Sequence, residues 1–205
     1  MKLNKKGMTL VELLVAIVFI GIILVFMFNL LSDLKNETGN NYFAYNNQVN
    51  KIDAIHTIQK DLNKYMLLGI EDQSNSNINI KFHYMRGNDE KIATLSSKKE
   101  SNKYYLNYTD VEGVPYSWQM KNAELDLCGK FTIYNETKEE NELKNYYFKM
   151  IFNIYNKQYS ERNNKSNNNV IDDIEISYSG YNNDLASNSS YLTSKNNGTY
   201  NIGKC

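Results

Sequence analysis

The carboxylate of Glu12 is the only ionisable side chain in an apolar run from Met8 to Leu31. Within a membrane span a charge costs about 2.5–3.5 kcal/mol on insertion scales, so it demands a partner. The run itself contains no basic side chain to serve as one. Either the partner comes from elsewhere, or Glu12 lies at the membrane boundary close to Lys5 and Lys6 and reaches interfacial water. Other groups capable of chemistry are sparse. Cys128 and Cys205 are the two cysteines, with no C-x-x-C and no adjacent histidine, which argues against a zinc site or a thioredoxin-like motif. In an oxidising compartment they read as one disulfide, in a reducing one as two free thiols. His56 and His83 are the only histidines, too few for a zinc constellation and outside any nucleophile or base motif. Asp172, Asp173 and Glu175 form an acidic cluster of the type that holds calcium, but they sit in a strand-like run whose alternate residues face opposite ways, so a solvated strand edge is the better reading. With no G-x-S-x-G, phosphate-binding glycine loop or H-E-x-x-H, the reading is a protein that is not an enzyme and carries no metal or cofactor.

The elements around Glu12 follow from composition. Residues 1–7, MKLNKKG, form a short basic leader, and the roughly 24 apolar residues behind it suffice to cross a hydrocarbon core about 30 Å thick. Lysines before the run, and no comparable basic cluster just after it, put the N-terminus in the cytoplasm and the bulk of the chain outside. No A-x-A cleavage site of a conventional secretory signal follows the run. The 23 basic and 23 acidic residues balance, so the strong positive field needed for non-specific nucleic-acid binding is absent and no nucleic-acid partner is expected.

Beyond Ser32 the apolar run becomes a stripe, with Leu34, Tyr42, Tyr45, Val49, Ile52, Ile55, Ile58, Leu62 and Tyr65 spaced mostly by three or four. This predicts one helix from Met8 to about Met66, some 90 Å at 1.5 Å per residue, with Gly39-Asn40-Asn41 as its weak point. After Gly69 the period changes to two. Ile78–Tyr84, Lys103–Thr109, Lys130–Tyr134, Tyr146–Tyr155 and Val170–Ser179 read as strands of an antiparallel sheet. Helix stripe and sheet face each need cover, which packing one on the other supplies, so the predicted class is α+β. The Asn/Ser/Lys-rich stretches 160–169 and 182–201 are expected to be surface loops.

The segment Lys5-Lys6-Gly7-Met8-Thr9-Leu10-Val11-Glu12-Leu13-Leu14-Val15-Ala16-Ile17 resembles the class III signal of the type IV pilin and pseudopilin family. The resemblance implies a type IV pilin-like fold, a long N-terminal helix packed on an antiparallel β-sheet head. It also implies that a prepilin peptidase cuts between Gly7 and Met8 and methylates the new amine of Met8. A glycine before the cut, lacking Cβ, suits extended backbone in a narrow protease cleft. Cleavage removes three of the 23 basic side chains, leaving 20 against 23 acidic ones. The freed amine of Met8 in one subunit then becomes the partner of Glu12 in its neighbour, setting axial register. The apolar span leaves lipid to form the filament core, where composition alone favours a permanent anchor. Pilins often fasten their C-terminal segment with a disulfide, so the resemblance supports Cys128 with Cys205. That bond would close a loop of about 77 residues and contribute roughly 4–5 kcal/mol by chain entropy.

Many major pilins bend their apolar helix with a proline; this run has none, and Gly21 is its flexible point. That departure and the large strand region resemble a minor pilin, while retention of Glu12 argues against the extreme-tip subunit. The expected layout is a leader at 1–7, a transmembrane and filament-core half-helix at 8–31, and a periplasmic or extracellular head at 32–205 whose helical part is 32–67. Expected partners are other pilin subunits, prepilin peptidase, an inner-membrane assembly platform, and membrane lipid before assembly. The precursor is then a single-pass membrane protein and the product an extracellular filament at the cell surface, aiding assembly initiation or adhesion. The alternatives are a competence or type II secretion pseudopilin, which share the signal, and an uncleaved bitopic protein with an extracellular binding or enzymatic domain.

Overall fold

The computed structural model describes residues 10–75, 77–101, 103–135, 145–156, 170–181 and 190–203. The leader, Gly7, Met8, the stretch 160–169 and Cys205 lie outside them. Contacts divide the chain into two compact units between Ala44 and Tyr45.

Helix α1 comprises Leu10–Lys64. It passes through Gly39 without a break, since one interior glycine costs only about 1 kcal/mol of helix propensity. It ends at Lys64, whose ammonium in the last turn favours the negative end of the helix dipole. The helical part of the head therefore stops short of the expected residue 67. Met66 opens strand β1, Met66–Asp72, where a register shift between Leu67 and Gly69 lets Leu67 and Ile70 both turn into the core.

Sheet A is a five-stranded antiparallel meander of β1, β2 (Asn79–Arg86), β3 (Asp89–Glu100), β4 (Lys103–Thr109) and β5 (Pro115–Met120). Gly87, at φ +63°, opens the two-residue β2–β3 hairpin, a position that favours glycine. Sheet B is also antiparallel. Strand β8 (Asn145–Asn156) pairs along its length with β9 (Val170–Tyr181), and also with β7 (Gly129–Asn135) and the short β6 (Ala123–Leu125). Strand β10 (Gly198–Ile202) completes it against β7.

The α+β class stands, with two sheets in place of the single predicted one. Of the ten strands among the described residues, five escape the sequence reading. In β3 the inward row is Ala93, Leu95 and Ser97, two of them small, so its alternation is faint. The expected loop 182–201 is corrected over its described part. Tyr191, Leu192 and Thr193 are buried around a 3₁₀ turn at Leu192–Ser194, and β10 follows. A few well-placed apolar residues outweigh a polar background.

A second correction concerns α1. Of its amphipathic stripe, Ile58 and Leu62 are buried against the inward rows of the sheets, joined by Ala54, which the stripe did not include. Tyr45, Val49 and Ile52 remain exposed. The head needs only the narrower row of the stripe.

Strand β1 is covered by the segment carrying Tyr191, which forms an isolated bridge with Glu71. A Cβ on Gly69 would come within 2.1 Å of the Tyr191 ring. Gly69→Ala should displace this segment. Faster amide exchange at residues 191–195 than in the parent protein, with sheet B unaffected, is the expected result.

Candidate assembly site

In the first unit the only acidic group of the first helical turn is Glu12, exposed on α1. Around it the side chains of Leu10, Val11, Leu13 and Leu14 are also exposed, and the most apolar stretch of α1 has no buried share. Among the described residues this is the one helix long and apolar enough to cross a membrane. Its chemistry is that of a surface made for lipid or for other helices, with a carboxylate set into it.

In the second unit, polar side chains of α1 fix the helix to the sheets. Asn47 donates through Nδ2 to the Lys121 carbonyl at 2.7 Å and accepts from the Lys121 amide at 2.8 Å. Asn50 donates to the Gln119 carbonyl at 2.8 Å, so two side chains serve the backbone of and just beyond β5, an end strand of sheet A. The indole of Trp118 donates to Asp53 at 2.6 Å. Gln48 and Lys51 both reach Asp172 on β9, which is thereby drawn to α1 and is not the freely solvated carboxylate expected. Asp61 is buried, accepting from the Tyr108 hydroxyl at 2.8 Å and the Val111 amide at 3.1 Å. Burial pushes the Tyr84 and Tyr108 phenols well above their usual range, and the Asp61 charge adds to it. Tyr108 therefore stays a proton donor to Asp61.

A family model described as the prokaryotic N-terminal methylation motif matches residues 2–28. Residues 2–28 carry the N-terminal signal of type IV pilin-like proteins. The match takes in Gly7, Met8 and Glu12 and continues into the exposed apolar part of α1. Such a motif implies processing by a prepilin peptidase and assembly with other pilin subunits, and it fits a single-pass membrane precursor that becomes surface-exposed. Neither the curated proteins nor the solved structures contain a match to this chain.

In the pilin-like head Cys128 is disulfide-bonded, while Cys205 lies outside the described residues. The chain returns to Cys128 near its end. A Cβ on Gly203 would lie 2.4 Å from the Leu127 carbonyl oxygen and 3.8 Å from the Cys128 Cα. Asp126 steadies the approach, accepting from the Cys128 amide at 3.1 Å and the Tyr155 hydroxyl at 3.3 Å.

His83, read from sequence as incidental, is buried at 8 % exposure. Its Nδ1 is 2.5 Å from Glu90 Oε1, its Nε2 is 3.5 Å from Glu71 Oε2, and its ring lies 4.9 Å from that of Tyr191. Hydrogen bonding from Gln73, then His83, holds the Glu71 carboxyl below its ordinary range. Alternation within β2 places His83 opposite the core row Ile80, Phe82 and Tyr84, a signal available in principle, but its cover comes from a segment more than 100 residues away. His56 is exposed on α1.

Two predictions follow from the anchors. Asp61→Ala leaves the Tyr108 hydroxyl and Val111 amide buried without their acceptor, which should cost about 1–3 kcal/mol in denaturant titrations of the head. Glu112 accepts from Tyr65 at 2.9 Å and pairs with Lys64 at 3.2 Å, and these contacts, Tyr65 first, lower its carboxyl. A lowered carboxyl contributes stability above its unfolded value of about 4.3, which is lost as pH falls through the folded value. Glu112→Gln should therefore flatten part of the acid-side fall in Tm and change little near neutral pH.

Proposed function

We propose that this chain is a non-enzymatic minor pilin, a subunit joined to a type IV filament through α1 with its head facing solvent. The observation that carries the reading is the coincidence of the methylation motif at residues 2–28 with a helix whose apolar side chains stay exposed in the subunit. In this reading residues 1–7 are the leader, 8–31 the membrane and filament-core half of the helix, and 32–205 the head. Prepilin peptidase cuts after Gly7 and methylates Met8, and the assembly platform of the inner membrane extracts the product from lipid. The Met8 amine meets Glu12 of a neighbouring subunit, converting a costly intramembrane carboxylate into an ion pair that defines register. Cys128 and Cys205 form the disulfide, supported by the return of Gly203 to Leu127 and Cys128. The head aids assembly initiation or adhesion.

Mass spectrometry of the native N-terminus, in cells with and without functional prepilin peptidase, tests the processing. N-methyl-Met8 only in peptidase-competent cells is the expected result; an intact leader there would leave a membrane-anchored exoprotein instead. Glu12→Ala should be cleaved normally yet be depleted from sheared filaments. Normal incorporation of that variant would remove Glu12 from the register role.

A further inference from the structure

The outward face of sheet B carries a chemistry that helix-mediated assembly does not use. Its inward rows, such as Phe131, Ile133, Phe148 and Met150, are buried. The opposite face places Tyr134 of β7 beside Tyr147 of β8 in direct register, ring centroids 6.4 Å apart and inclined at 28°. These rings are 57 % and 37 % exposed. A cross-strand aromatic pair stabilises a sheet modestly, and roughly half of this pair's surface stays open to something else.

The next row pairs Thr199 with Thr132, their hydroxyl oxygens 2.9 Å apart, and Thr132 in turn with Lys149. Beside Tyr147 stands Ser179 of β9. Lys149 is paired with Glu175 at 2.6 Å, and Lys130, Asp173 and Glu124 also stand in the outward rows, so the face has no excess of positive charge. Rigid phenol rings interleaved with small hydroxyls are also the composition of antibody binding loops, where Tyr supplies contact area at little entropic cost and Ser supplies adaptable hydrogen bonds.

We propose that this face binds an uncharged polysaccharide. The C–H faces of its sugar rings stack on Tyr134 and Tyr147, and its hydroxyls bond to Thr132, Thr199 and Ser179. Charge selects this occupant. Nucleic acid and other polyanions require clustered, unneutralised cations, whereas here the central lysine is already paired. The site lies in the head.

The test measures binding of the full-length chain in detergent micelles to amylose, dextran and xylan, with heparin and single-stranded DNA as charged controls. Saturable binding to at least one neutral polymer is expected, unchanged between about 50 and 200 mM salt. Tyr134→Ala and Tyr147→Ala should each weaken it about tenfold, while Tyr147→Phe, which keeps the ring, stays near the parent. Circular dichroism confirms that the variants fold. Binding that ignores both alanine variants, binding confined to the polyanions with steep salt dependence, or no binding to any neutral polymer overturns the assignment.

Discussion

The constraint on which the molecule turns is that the apolar side chains of α1 from Leu10 to Leu31 are exposed within their own subunit. Exposed to water, such a surface is unfavourable at about 25 cal/mol per Å² of apolar area, so it needs a medium of lipid or of other helices. Each medium treats Glu12 differently. Lipid gives a carboxylate nothing to bind, whereas the proposed bundle of cleaved subunits would bring an amine within reach. Under that proposal, the residue that makes the membrane state costly would make the assembled state specific.

The second half of α1 obeys a different rule. It commits only Ala54, Ile58 and Leu62 fully to the core, and relies on Asn47, Asn50, Asp53 and Asp61 for the rest of its attachment. Hydrogen bonds require particular distances and angles, so these contacts specify the helix's rotation and height on the sheets more narrowly than apolar contact would. The outer row of Tyr45, Val49 and Ile52 is thereby left clear.

How much of this was legible in the sequence depended on distance along the chain. The helix declared itself through an apolar run and a period near 3.6, and β4 through strict alternation at Tyr104, Leu106 and Tyr108. Glu12 stood out because a charge in an apolar run is locally anomalous. Among the residues that escaped, β10, Tyr191 and the surroundings of His83 owe their burial to pairing between segments far apart, for which Asn-rich sequence carries no local mark, whereas β3 escaped because its inward row is faint. The outer row of the helix stripe was misjudged for a related reason. Periodicity reveals that a face is apolar but not which neighbour covers it.

The two sheets differ in how their strands are ordered in time. Sheet A joins β1 to β5 strictly in sequence, so every pairing is available as soon as Met120 has emerged. Sheet B closes only when β10, at residues 198–202, meets β7 some 65 residues earlier. Non-local pairings are entropically slower to form than neighbouring hairpins. For a chain delivered from its N-terminus, the first sheet is thus free to fold on its helix while the second still awaits its last strand. Of the described strands, the last in chain order is the one that closes the second sheet.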